Sequence, residues 1–112
     1  MEIVEYTLYY PMCRADKNGM PIQFNEDDSN ALKADINFLS WEFGGSTTVK
    51  GMGNWVDNTT GILLKERIML ITLLGHPEQE DFLRGFCAEL KGKKSQVSVM
   101  YTKRTVNVEF IK

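Results

Sequence analysis

The sequence predicts an α+β domain with the β-α-β-β-α-β order of ferredoxin-like folds, in which two helices cover one face of a four-stranded antiparallel sheet. Four segments have the alternation or the β-branched and aromatic composition of strands, and two segments repeat apolar residues at helical spacing. A turn signature joins the two middle strands. Because 112 residues is the size of one ordinary domain, we expect residues 1–112 to form a single core.

The first strand is predicted over Ile3–Cys13, which is rich in alternating aromatic and β-branched residues. The Asp16–Gly19 stretch supplies a tight turn, since Asn and Gly tolerate positive φ. A short arm, Met20–Phe24, follows this turn, and Pro21 is expected to keep the arm at a sheet edge.

Both helices are marked by the residues at their ends. Asn25 can cap the first helix, whose first turn is acidic and which Gly44 ends. Pro77 is a favoured first residue for the second helix, and Gly92 is predicted to end it. The apolar faces consist of Leu32, Ile36, Leu39 and Phe43 in the first helix and of Phe82, Leu83, Phe86, Cys87 and Leu90 in the second.

The middle strands, Ser46–Val56 and Ile62–Leu74, are predicted to form an antiparallel hairpin because the Asp57–Gly61 segment between them has turn composition. Gly51 and Gly53 lie inside the first of these strands. Glycines at such positions indicate a bulge or the close approach of another backbone.

The end of the second helix and the segment that follows it complete the predicted fold. Lys91, Lys93 and Lys94 are expected to stabilise the negative end of the helix dipole. The last strand is predicted within Gln96–Ile111, with a bend or bulge at the Lys103–Arg104 step between its two alternating halves.

The Ile62–Leu74 strand is apolar on both faces, although the two helices can cover only one face of the sheet. Met69, Ile71 and Leu73 are predicted to lie on the open face and to form an interface there. Burial of one such side chain is worth ~1.5 to 3 kcal/mol, and an exposed apolar row is a liability on a monomer. We therefore expect a second copy, a protein partner or the C-terminal segment to cover this face. The alternative is a central strand that is simply apolar on both sides.

Composition and charge exclude several classes of protein. A formal net charge of −2 and a pI near 5.4 argue against nucleic-acid and anionic-membrane partners. Neither a secretory leader nor a run of ~20 apolar residues is recognisable, so the expected location is cytoplasmic. Cys13 and Cys87 are therefore predicted to be free thiols. No cofactor or metal is expected, since no complete motif for either is present.

Three partial motifs do not meet the requirements of the sites that they resemble. The Lys50–Val56 segment has the glycines of an RNA-recognition signature, but Met52 replaces an aromatic residue and the segment falls on the wrong strand. The Arg14–Asn25 loop lacks the carboxylates that a calcium loop needs at both ends. His76 precedes Pro77 and is the one histidine, which suits a helix start better than catalysis.

One polar group of residues is a candidate site. Glu66 and Arg67 lie in the third predicted strand, Trp55 lies across the hairpin, and Arg14 and Tyr10 lie at the end of the first strand. A carboxylate and a guanidinium among aromatic rings can bind a small polar or anionic ligand, and Glu66 could act as an acid or base if burial raised its pKa. The alternative, which the pattern favours, is a cross-strand ion pair.

Short motifs in the first two-thirds of the chain resemble a family of small bacterial domains of unknown function, in which a Gly-x-Trp strand leads to a strand that carries a glutamate. The matching positions are Asn18–Ile22, Phe38, Trp41, Thr47–Val49, Gly53–Trp55, Gly61, Ile62 and Glu66. Gly44–Ser46 replaces the proline-rich features expected before the second strand. The resemblance implies a ferredoxin-like fold and makes Trp55 and Glu66 the positions to test.

These observations lead to two functional hypotheses from different classes. The first is a binding or assembly protein that forms a homo-oligomer, or binds a protein partner, through the open sheet face and holds a ligand near Trp55, Glu66 and Arg67. The second is a small dimeric enzyme in which Glu66 is the acid or base and Arg67 or Arg14 orients an anionic substrate. RNA binding is a third and weaker alternative. The first hypothesis is favoured because no complete catalytic motif is present.

Overall fold

A computed structural model describes residues 2–96 and 98–112 of the chain. The elements are β1 (Glu2–Pro11), α1 (Glu26–Phe43), β2 (Thr47–Val56), β3 (Leu63–Gly75), a 3-10 turn (Pro77–Gln79), α2 (Glu80–Lys93) and β4 (Met100–Asn107). Their order and the two helices confirm the predicted α+β class.

The four strands form one antiparallel sheet in the order β2-β3-β1-β4. Pairing of β1 with β3 runs from Val4 opposite Gly75 to Pro11 opposite Ile68. The Leu63–Glu66 part of β3 extends beyond this pairing and pairs with β2 alone. The β2–β3 hairpin therefore projects from the sheet as a two-stranded ribbon.

The helices pack on one face of the sheet and form the core there. From the strands this core takes Tyr6, Leu8, Tyr10, Met69, Ile71 and Leu73, and from the helices it takes Leu32, Leu39, Leu83, Cys87 and Leu90. We call this side the helix-covered face and the other side the open face. Burial of large apolar side chains on this face is what holds the two layers together.

The predicted interface of Met69, Ile71 and Leu73 is wrong. These side chains are 7%, 0% and 0% exposed and belong to the core. The strand pairing explains why they are buried. Leu8 of β1, which belongs to the core, lies opposite Ile71, and opposite residues share a face of the sheet. Because β3 is apolar on both sides, alternation alone could not show which side meets the helices.

The open face is a mixture of apolar and polar side chains. From β3 it carries Ile68, Leu70, Thr72 and Leu74. The Thr7 and Thr72 hydroxyl oxygens lie 3.3 Å apart across the β1–β3 pair. Near one end of the face, Arg104 of β4 donates from Nε to a Glu5 carboxylate oxygen at 2.9 Å.

The ends of the helices match their local sequence signals. The Asn25 side chain accepts a hydrogen bond from the Asp28 amide, and the Asp28 carboxylate accepts one from the Asn25 amide, so the cap of α1 is reciprocal. Gly44 ends α1 with φ of 80°. Lys91 and Lys93 lie in the last turn of α2, as predicted.

Several predicted details are corrected. The β2–β3 register is continuous through Gly51 and Gly53, so neither residue forms a bulge. The Lys103–Arg104 step lies within an unbroken β4 that pairs residue for residue with β1. The segment starting at Pro77 is first a 3-10 turn, and α2 continues past Gly92.

Other predictions concern the thiols and the membrane. Cys13 and Cys87 are buried free thiols, as predicted. Burial raises the pKa of Cys87 to about 11, so this thiol stays protonated at neutral pH. Over residues 2–96 and 98–112, no helix is long and apolar enough to cross a membrane.

Candidate functional site

A cavity of about 280 Å³ lies on the open face, where the ribbon leaves the end of β1. Its lining includes Tyr9, Trp55, Glu66, Ile68, Gln96 and Met100. We call it the Trp55–Glu66 cavity. Strand pairing explains why these residues meet: Trp55 lies opposite Leu64, Gly53 lies opposite Glu66, and alternate residues of both strands point to the same side.

Glu66 is the titratable carboxyl group in this cavity. Its side chain is partly buried, and desolvation raises its pKa, while the nearby Trp55 side chain partly offsets that rise. Among the described residues, no Lys, Arg or His nitrogen lies within 4.0 Å of its carboxylate oxygens. The negative charge of Glu66 is therefore not compensated by a cation of the described chain.

Arg67 does not join Glu66 in this cavity. As the next residue in β3 it points to the opposite side of the sheet, where it pairs with Met52 across the hairpin. The predicted cross-strand ion pair of Glu66 is consequently not found within the described part of the chain. The guanidinium that was expected to orient an anionic ligand lies on the wrong face to do so.

Tyr10 and Arg14 lie in a second cavity, of about 270 Å³, on the helix-covered side of the sheet. We call it the Asp28–Lys94 cavity. Arg14 Nε lies 3.0 Å from Asp28 Oδ1, and Lys94 Nζ lies 3.9 Å from the same oxygen. The Tyr10 hydroxyl donates to Asp35 Oδ2 at 2.5 Å. Of the five predicted ligand residues, Trp55 and Glu66 thus lie in the first cavity, and Tyr10 and Arg14 lie in the second. Arg67 lines neither of these two cavities.

The buried charges of Asp28 and Lys94 have partners within the Asp28–Lys94 cavity. Burial raises the pKa of Asp28, but hydrogen bonds from the Asn25 amide and from Arg14 outweigh it, so the pKa is lowered overall. Lys94 is 4% exposed, donates from Nζ to the Met12 carbonyl at 3.2 Å and lies over the Tyr10 ring at 5.3 Å. Desolvation lowers the pKa of Lys94. This network joins the end of β1 to the start of α1 and the end of α2.

Three features of these cavities were missed from the sequence. Lys94 was predicted only to stabilise the negative end of the helix dipole, but it is also buried beside Asp28, which is 66 residues earlier in the chain. The reciprocal cap could have been recognised, since an Asn followed three residues later by an acid is its signature. The contribution of Ser95, Gln96 and Ser98 to the Trp55–Glu66 cavity has no local signal.

Across residues 2–96 and 98–112, no group of three or more His, Cys, Asp or Glu side chains is placed to hold a metal ion. The Trp55–Glu66 cavity offers one carboxyl group, an indole and a phenol ring, and its lining also includes the polar residues Ser95, Gln96 and Ser98.

Comparisons with known proteins support the fold. No family model and no curated protein matches the sequence. Among solved structures, the chain is similar to a phage SAM lyase in complex with S-methyl-5'-thioadenosine, with a TM-score of 0.56, 15% identity, and coverage of 99% of this chain and 92% of that one. At this identity the similarity establishes the fold alone. The resemblance to a small bacterial family remains a prediction beyond that fold.

Proposed function

We propose that this protein binds a small polar molecule in the Trp55–Glu66 cavity. The observation that carries the proposal is an uncompensated, partly buried carboxyl group beside an indole ring in a cavity of about 280 Å³. Ligand pockets combine mostly apolar walls with a few polar groups that fix orientation. A carboxyl group removed from water without a partner costs stability, and a ligand that donates to it or carries positive charge would offset that cost.

The lining favours a neutral or cationic ligand over the anionic one expected from the sequence. None of the described lining residues is Lys, Arg or His. Trp55 and Tyr9 offer aromatic faces for a planar ring or a cation. The ligand named for the structural neighbour, S-methyl-5'-thioadenosine, has a planar adenine ring. S-adenosylmethionine adds a positively charged sulfonium. Both compounds are therefore suitable first probes.

The binding test uses the fluorescence of Trp55. Trp41, which is 89% exposed on α1, is replaced in Trp41→Phe so that Trp55 alone reports. Titration with either adenosine compound should change Trp55 emission with a saturable curve. Glu66→Gln should weaken binding of S-adenosylmethionine more than of the uncharged thioether. Glu89→Gln, an exposed glutamate on α2, is the matched control. Absence of saturable binding by both compounds would count against this ligand class.

The second candidate function is enzymatic, with Glu66 as the base. A raised pKa in a cavity is a feature of acid–base residues, and the neighbour is named a lyase. In an elimination from a sulfonium substrate, Glu66 accepts a proton from the carbon adjacent to the C–S carbon, and the electron pair of that C–H bond forms a C=C bond. The C–S bond breaks with its electron pair going to sulfur, which leaves as a neutral thioether. Chromatography of S-adenosylmethionine incubated with the protein tests this. Glu66→Gln should lower product formation about 100-fold or more, and an unchanged rate would rule out the assignment of Glu66.

Self-association through the open face is the remaining part of the proposal. Exposed apolar side chains on that face include Val49, Trp55 and Met100, at 56%, 40% and 43% exposure. A two-stranded ribbon is marginal on its own in water, so packing of the ribbon and open face against a second copy would stabilise both. Sedimentation velocity at micromolar concentration should show a dimer or larger species. A monomer under those conditions would leave a protein partner as the alternative.

A further inference from the structure

The indole of Trp55 lies across Gly53, two residues earlier on the same side of β2. A methyl group at Gly53 would lie 2.8 Å from Cζ2 of Trp55 and 3.0 Å from both Cε2 and Nε1. These separations are shorter than van der Waals contact. The indole can therefore occupy its observed position only because residue 53 has no side chain.

Gly53 also lies directly opposite Glu66 in the β2–β3 pair. An indole that crosses Gly53 is thereby directed towards the carboxyl group on the neighbouring strand, and the nearby Trp55 side chain lowers the pKa of Glu66. Gly53 itself is buried, and the three heavy atoms nearest to its missing side chain all belong to Trp55. The space above Gly53 is thus filled by the ring that forms the wall of the cavity.

We infer that Gly53 is a positioning residue that sets the place of the Trp55 indole against Glu66 and thereby the ligand affinity of the cavity. The claim about ligand affinity rests on the proposed binding function. The claim about the position of the indole does not, since that position can be measured without ligand. It also gives Gly53 a role different from the bulge expected from its sequence position.

The chain provides a matched control for this role. Gly51 is in the same strand and on the same face, opposite Ile68. A methyl group there would lie 3.5 Å from Cγ1 and 3.8 Å from Cδ1 of Ile68, which is ordinary contact. Gly51→Ala and Gly53→Ala thus add the same methyl group to the same strand, and only the second must move the indole.

The first measurement follows the carboxyl carbon of Glu66 by ¹³C NMR over a pH series. Gly53→Ala should shift the Glu66 titration upward, in the same direction as Trp55→Phe, because the first displaces and the second removes the indole N–H that lowers the pKa of Glu66. Gly51→Ala should titrate like the parent. Identical titrations for Gly51→Ala and Gly53→Ala would overturn the inference.

A double-mutant cycle tests whether Gly53 acts through Trp55. In a Trp55→Phe background, Gly53→Ala should have no further effect on the Glu66 titration, because the indole atoms in its way are gone. This double variant also keeps the test available if Gly53→Ala alone folds poorly. A shift of the same size in both backgrounds would show that Gly53 acts independently of Trp55 and would overturn the inference.

Ligand binding is measured last, with S-methyl-5'-thioadenosine as the probe. Gly53→Ala should bind it about tenfold more weakly than Gly51→Ala does, since a displaced ring loses its stacking contact. If the titration shifts as expected but neither variant nor the parent binds the probe, the positioning role stands and the proposed ligand class fails. Equal, measurable affinity in both glycine variants would overturn the claim that Gly53 sets ligand affinity.

Discussion

Glu66 and Asp28 are carboxyl groups in two cavities on opposite faces of one sheet, and their pKa values move in opposite directions. Asp28 is 3% exposed but accepts hydrogen bonds from an amide and a guanidinium and has Lys94 nearby. Glu66 is less buried and has no cationic partner among the described residues. The contrast shows that partners, more than depth, set the sign of the pKa shift.

The same contrast separates a structural role from a binding role. In the Asp28–Lys94 cavity the buried charges of Asp28 and Lys94 have partners from the protein, so little would be gained from a ligand added beside them. In the Trp55–Glu66 cavity a polar group is held out of water without a charged partner, which is a stability cost that functional sites commonly carry. The following predictions test this division, and they run from the largest expected effect to the smallest.

Asp28→Asn is expected to lower the free energy of unfolding by about 3 kcal/mol, because Lys94 would be left buried without its counter-charge. Urea unfolding at pH 7 measures this loss. The matched control is Asp27→Asn, which changes an exposed acid in the same first turn of α1. A loss below about 1 kcal/mol would mean that the Asp28 network is not structural. The proposed difference in role between the Asp28–Lys94 and Trp55–Glu66 cavities would then not hold.

The stability of the parent protein should fall in acid partly because of Asp28. Its pKa in the folded state is below the ordinary 3.8, so its contribution is present above that value and is lost as pH falls through the lower, folded-state pKa. Unfolding measured between pH 2 and 7 should show a shallower acid loss in Asp28→Asn than in the parent. Parallel curves for the two proteins would contradict this assignment.

Tyr10→Phe is expected to cost about 1 kcal/mol of folding stability, because the fully buried ring stays but the Asp35 carboxylate loses a hydrogen-bond donor. Tyr9→Phe is the control in the same strand. Tyr9 points to the open face, and within the described residues no hydrogen bond of its hydroxyl is found. Thermal unfolding of the two variants should differ, and equal melting temperatures would argue against a structural Tyr10–Asp35 bond.

Glu66→Gln should slightly stabilise the protein at pH 7. The pKa of Glu66 is raised in the folded state, so its contribution to stability is largest when it is protonated and is lost as pH rises through that pKa. The neutral amide avoids this loss, and a rise of about 2 °C in melting temperature is expected at pH 7. The gain should vanish well below pH 4.5, the ordinary pKa of the group. Destabilisation at pH 7 would show that the charged form of Glu66 has a structural role.

Much of the fold was predictable because its signals are local. Asn25 and Gly44 bound α1, the Asp57–Gly61 turn joins β2 to β3, and the alternation in β1 marks a strand, and each of these depends on neighbours within a few residues. For the candidate site, the proximity of Trp55 to Glu66 was also predictable, since the hairpin turn brings their strands together.

Other parts of the site needed the tertiary structure. The choice of face for Arg67 depends on the register of β3, and a shift of one residue would exchange Arg67 with Glu66. Tyr10 and Arg14 lie outside the Trp55–Glu66 cavity, also because of the face that they occupy. Tyr10 lies on the helix-covered side of β1, and Arg14 donates a hydrogen bond to Asp28 on that side.

The sequence by itself determined the order of the elements, the ends of the helices and the hairpin that carries Trp55 and Glu66, because turns, caps and periodicity act over short stretches of chain. Only the tertiary structure decided which side of β3 the helices cover, that Lys94 neutralises Asp28, and that the Trp55 indole lies over Gly53. Each of these depends on strand register, on contacts between distant residues, or on the way a side chain packs in three dimensions, and a linear pattern does not encode those relations.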